Sequence, residues 1–159
     1  MPHVTIEYVI LIPLLFTQVI VFPFVASTMT SNWQDSQRNV ELQDAADHLA
    51  STIQQLYLTI NNDDVLAGTV TQASTLPVTV GSYPYNATGS LSNPSDPNST
   101  KILTVTLTLD EVHNTVTAAA VLGPNVQWID STLRSTSANA SIDVQKFSNS
   151  VLVFSFGGD

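Results

Sequence analysis

Few residues in this 159-residue chain have the types and spacings that support catalysis. His3, His48 and His113 fall in three different contexts, and there is no HExxH pair, no Gly-rich phosphate loop, no GxSxG elbow and no cysteine nucleophile. The acidic pairs Asp63-Asp64 and Asp110-Glu111 offer oxygens of the kind calcium accepts. They lack the ligand spacing of a calcium loop and lie where turns are expected. The sequence therefore points to no catalytic residue, no cofactor and no metal, and the chain reads as non-enzymatic.

The chemistry that is present concerns one isolated carboxylate, three glycan acceptors and a few aromatic rings. Glu7 is the only formally charged side chain in the apolar run from Val4 to Val25. An ionised carboxylate there is costly unless it gains a cation or hydrogen-bond donors, or rests at a membrane–water boundary. Asn86-Ala-Thr, Asn98-Ser-Thr and Asn139-Ala-Ser are acceptor triplets for N-linked glycans, whereas the proline in Asn93-Pro-Ser excludes that site. Sugars at Asn86, Asn98 or Asn139 would place this surface outside the cell and hydrate it. Among the rings, Trp128 between Val126 and Ile129 reads as core, and Tyr83 and Tyr85 read as exposed contacts on a loop.

These groups must be carried by elements, and the composition limits which. Thirteen carboxylates face only Arg38, Lys101, Arg134 and Lys146, giving a net charge of −9 with 11% charged residues. A chain so poor in cations cannot neutralise a phosphate backbone, so nucleic acid is excluded as a partner. With no cysteine, stability must come from packing and assembly.

The run VTIEYVILIPLLFTQVIVFPFV, residues 4–25, has about the 20-residue length a helix needs to cross a hydrocarbon layer. Pro13 and Pro23 should kink or loosen it. After a polar bridge, Leu42, Ala45, Ala46, Leu49, Ile53, Leu56, Tyr57 and Ile60 recur at helical spacing, which predicts an amphipathic segment over 38–60. If the two segments join, the helix is roughly 85 Å long at 1.5 Å per residue. A break between them is the alternative. Residues 1–61 thus form an N-terminal helical region, and Asn61-Asn62-Asp63-Asp64 ends the periodicity.

Residues 65–159 are rich in Val, Thr and Ser. Alternation is clearest over Lys101 to Leu109, with further candidate strands at Val70–Val80, Thr115–Val121, Val126–Ile129, Ser141–Gln145 and Val151–Phe156. The stretch Gly81–Thr100 reads as an exposed loop. The expected fold is α+β, a long N-terminal α-helix followed by a β-sandwich-like or open-barrel head.

The segment His3-Val4-Thr5-Ile6-Glu7-Tyr8-Val9-Ile10-Leu11 resembles the start of a type IV pilin. Its layout is close to the archaeal pattern Gln-x-Ser-x-Glu-x-x-x-Leu, with His3 for Gln, Thr5 for Ser, and Glu7 and Leu11 matching. The usual basic residues do not precede His3, so a leader is either already removed or processed differently. The resemblance implies a structural subunit that is cut by a prepilin peptidase and inserted transiently in the membrane. A platform protein and an ATPase would then assemble many copies into a helical filament on the outer cell surface. Glu7 would pair with a neighbouring subunit's N-terminal amine, and Tyr8, Leu11, Leu14, Leu15, Phe16, Val19, Phe22 and Phe24 would pack in the filament core. Adhesion is the expected role. The same residues are compatible with an archaellum subunit, a donor-strand pilin or a monomeric membrane-anchored surface protein.

Overall fold

The computed structural model describes residues 3–92, 96, 98–112 and 114–158, with side chains described from residue 9 onward. Its architecture is α+β: one long helix, α1 (His3–Ile60), followed by eight strands in two sheets. The strands are β1 (Gly68–Ala73), β2 (Tyr85–Leu91), β3 (Lys101–Leu109), β4 (Thr115–Leu122), β5 (Val126–Trp128), β6 (Thr132–Arg134), β7 (Ser141–Lys146) and β8 (Leu152–Gly157). The chain divides into two compact units, Met1–Gln37 and Arg38–Asp159. The amphipathic second half of α1 therefore belongs to the same unit as the sheets.

α1 is a single 58-residue helix that runs through Pro13 and Pro23, so the two sequence segments are joined without a break. Hydroxyls in its first half are satisfied locally. Thr17 donates to the Pro13 carbonyl at 2.8 Å, Thr28 to Phe24 at 2.9 Å and Thr30 to Ala26 at 2.9 Å. Such bonds to the carbonyl four residues back let a hydroxyl sit in an apolar helix without an outside partner.

The second half of α1 forms one wall of the head's core. Leu42, Ala45, Ala46, Leu49, Ala50, Ile53 and Ile60 are buried, while Glu41, Asp44 and Asp47 are exposed. This is the apolar stripe expected from the three- and four-residue spacing. The helix stops where Asn and Asp replace good helix formers, and its last carbonyls find a cation. Lys146 on β7, itself buried, donates from Nζ to the Ile60 carbonyl at 3.0 Å and to the Asn62 carbonyl at 2.6 Å. A positive group at a helix C-terminus satisfies orphan carbonyls and complements the helix dipole.

The first sheet has the order β1-β7-β8-β5 and the second β4-β3-β2-β6. Every pairing is antiparallel except β5 with β8, which is parallel. Alternation works as predicted on β3, where Leu103, Val105, Leu107 and Leu109 are buried and Thr104, Thr106 and Thr108 are not. Across the pair, Ala118, Ala120 and Leu122 of β4 and Tyr85 and Ala87 of β2 continue the buried face. From the first sheet Ile142, Val144, Leu152 and Phe154 join the same core.

Two expectations for the head are corrected. The exposed loop predicted over Gly81–Thr100 contains the strand β2, whose Tyr85 and Ala87 are at most 1% exposed. Small and polar residues hide it, because their loop-like composition masks a two-residue period. The strand predicted over Val70–Val80 ends at Ala73. A tight turn lies at the end of that stretch, where Val80 and Tyr83 exchange backbone hydrogen bonds of 2.9 and 3.0 Å around Gly81 and Ser82, at φ 54° and 74°. Two positive φ values in a two-residue turn suit a type I′ geometry. A Cβ at Gly81 would also lie 2.7 Å from Cγ of Arg38, so a side chain there would force the arginine to move.

Removing the Lys146 ammonium leaves the carbonyls of Ile60 and Asn62 without their cation. Lys146→Ala is expected to lower the stability of the head by roughly 1–3 kcal/mol, measured by denaturant unfolding followed through far-UV circular dichroism. An unchanged midpoint would show that the ammonium contributes nothing net.

Candidate assembly segment and head surfaces

Among the described residues the first unit is helix alone, with no second element in that unit against which to bury side chains. Leu11, Leu14, Leu15, Phe16, Val19, Phe22 and Phe24 are all at least 50% exposed. At 100° per residue these positions point in every direction around the axis. A helix apolar on all sides is found buried among other helices or in lipid. The segment is long and apolar enough to cross a membrane by length and composition.

Val9, Ile10, Ile12, Ile20 and Val21 are equally bare and extend the candidate surface beyond the residues singled out by sequence. Their signal is the same unbroken apolar run, which does not distinguish among faces. Glu7 and Tyr8 lie on α1, outside the residues whose side chains are described.

The three candidate glycan acceptors differ in their surroundings. Asn98 is exposed in the segment before β3, and Asn139 is exposed in a turn before β7. Asn86 sits within β2 opposite Thr108 and Arg134, and its side-chain amide donates to the Asp110 carboxylate. Asn98 and Asn139 thus lie outside strands and Asn86 within one, on the outward face of its sheet.

The aromatic residues also separate. Tyr83 is half-buried, with the Arg38 guanidinium 5.0 Å above its ring centroid. Tyr85, expected from sequence as an exposed contact, is instead core: its hydroxyl donates to the Pro77 carbonyl at 2.7 Å and its backbone amide to Ser135 Oγ at 3.0 Å. Trp128 is half-buried, packs edge-to-face on Phe156 at 4.9 Å, and lies against Gly89, where any side chain would collide with the indole. Its Nε1 is buried with no hydrogen-bond partner among the described residues.

His48 rims an open cleft of about 380 Å³ with Glu41, Asp44, Leu76 and Pro77. Among the described residues no group of three or more His, Cys, Asp or Glu side chains is arranged to hold a metal ion. His113 lies outside the described residues.

Compared with known proteins, the chain matches no family model, no curated protein and no solved structure.

Burial pushes the Tyr85 phenol up from 10.0 to about 12. Because the folded state holds this proton more tightly than the unfolded chain, the associated stability is present below pH 10 and is lost as pH rises toward 12. Denaturant midpoints should therefore fall between pH 10 and pH 12 in the native chain, and Tyr85→Phe should flatten that part of the profile. A profile equally steep in Tyr85→Phe would assign the loss to other groups.

Proposed function

We propose that this chain is a structural subunit that polymerises through its N-terminal helix into a type IV pilus-like filament on the cell surface. The observation that carries this reading is the helix from Val9 to Val25, apolar around its whole circumference and exposed along its length. At about 25 cal/mol per Å² of apolar surface withdrawn from water, copies of such a helix packed side by side gain far more than a single copy can. A heterologous contact whose rotation does not close then yields a filament in place of a ring.

Three further features support the reading. The order Glu7, Tyr8, then an apolar run resembles the pilin start, and Glu7 in that run calls for a cation such as a neighbouring subunit's N-terminal amine. The β-rich head carries exposed acceptor triplets at Asn98 and Asn139, as expected of a surface outside the cell. Before assembly the same helix would rest in a membrane, and an assembly platform, an ATPase and a prepilin peptidase are the partners this route requires. Adhesion to surfaces or cells is the role we assign to the heads.

The second reading, a monomeric membrane-anchored surface protein, is favoured by the length and composition of the same helix. Electron microscopy of native material separates the two. Filaments that persist without detergent support the polymer, while monomers dispersed only by detergent sink it.

Two variants probe the contact itself. Phe16→Asp places a charge in the middle of the apolar span, at a cost on the order of 3 kcal/mol for insertion in a bilayer. It should abolish filaments recovered by sedimentation. Glu7→Ala should reduce filament yield severalfold with the head still folded, and a normal yield would remove Glu7 from assembly.

A further inference from the structure

The outward face of the second sheet is an ordered array of small hydroxyl side chains. Strand register places Asn86, Thr108 and Thr115 in one row, Thr88, Thr106 and Thr117 in the next, and Ser90, Thr104 and Ala119 in a third. A fourth row ends the array with Ile102 and Val121, both exposed, beside Ser92, whose amide donates to the Ile102 carbonyl at 2.8 Å. Thr108 and Thr115 already share a hydrogen bond of 3.2 Å between hydroxyls on adjacent strands.

No charged residue occupies these rows on β2, β3 or β4, although the chain carries a net charge of −9. Arg134 stands at the margin on β6, opposite Asn86, and Asp110 is tied to Asn86 at one corner. The other described carboxylates lie on α1, in loops or on β7. An antiparallel sheet commonly turns one polar face to water, and here the polar groups of that face on β2, β3 and β4 are uncharged.

We infer that this face is a contact surface for the same face of a second copy, joining subunits of adjacent filaments side by side. The inference rests on the filament reading. Two acidic copies repel wherever their carboxylates meet, so the uncharged rows are where they can approach. A threonine hydroxyl both donates and accepts, so an array of them can satisfy an identical array, whereas a carboxylate brought against the rows away from Arg134 would lose water without gaining a cation. The β-branched methyls and the Ile102 and Val121 side chains add apolar contact.

Symmetry and size decide what such a contact builds. A face meeting itself is isologous and closes on one pair, so it cannot propagate the heterologous stack of a polar filament; it links one filament to another. Three strands by four rows cover about 400 Å² per copy at the usual strand spacing and rise, or about 800 Å² per pair. That is below the roughly 1,200 Å² at which isolated pairs become stable. Repeated along two filaments, many weak contacts give firm lateral association.

The test uses filaments of the full chain, imaged by electron microscopy at low and moderate salt, scoring the fraction lying in lateral contact. Wild-type filaments should pair, and more so as salt screens the surrounding carboxylates. Thr106→Glu, or Thr117→Glu on the exposed edge strand should the first fail to fold, should give normal filament yield with the paired fraction reduced at least tenfold. Gln145→Glu adds the same charge at an exposed position on β7, in the other sheet, and should leave pairing intact. Wild-type filaments that stay solitary at every salt overturn the inference. So do threonine variants that pair normally, or a Gln145→Glu variant that loses pairing equally, and all three results leave the filament reading standing. Wild-type chain that forms no filaments overturns both.

Discussion

The second half of α1 is held in the head by burial of one apolar stripe, and the rest of the structure depends on that packing. Leu42, Leu49 and Ile53 are at most 1% exposed and touch a core shared with both sheets. Each contributes on the order of 2 kcal/mol by leaving water. Because α1 is continuous from His3 to Ile60, this anchorage leaves its first half as helix with no apolar partner inside its own unit.

The scarcity of cations shapes the head as strongly. Lys101 is buried and donates to the Val126 carbonyl at 2.8 Å, and buried Lys146 is committed to the end of α1. Two of the four basic side chains are thus withdrawn from the surface, leaving a more acidic exterior than the composition alone suggests. Two surfaces among the described residues carry no charge: the apolar helix from Val9 to Val25, and the rows of β2, β3 and β4 that carry the threonines.

Close packing between the sheets accounts for the remaining specificity. Trp128 on β5 reaches across to β2, and Gly89 is the residue that admits its indole. At the start of β2, Tyr85 and Ser135 tie the strand to the segment after β6 through bonds of 3.0 Å in both directions. A strand of Tyr, Asn, Ala, Thr, Gly, Ser and Leu is weak by propensity and is held by its neighbours.

Periodicity and hydropathy are local properties, and their structural consequences are legible in the residues themselves. The three- and four-residue spacing from Leu42 to Ile60 defines the buried stripe, the alternation from Lys101 to Leu109 defines a half-buried strand, and the apolar run from Val9 to Val25 defines a helix with no charged side to turn toward water. Pairing partners are not local. Tyr85 reads as exposed because its neighbours are small and polar, and only the pairing of β2 with β3 and β6 shows why it is core. The register of β2, β3 and β4 assembles six threonines into one face without charge on those strands, and the packing of β7 in the other sheet sets Lys146 against a carbonyl 86 residues earlier. Side chains far apart in sequence acquire a common surface only when hydrogen bonding between strands fixes which residue stands beside which, and that is decided by the fold as a whole.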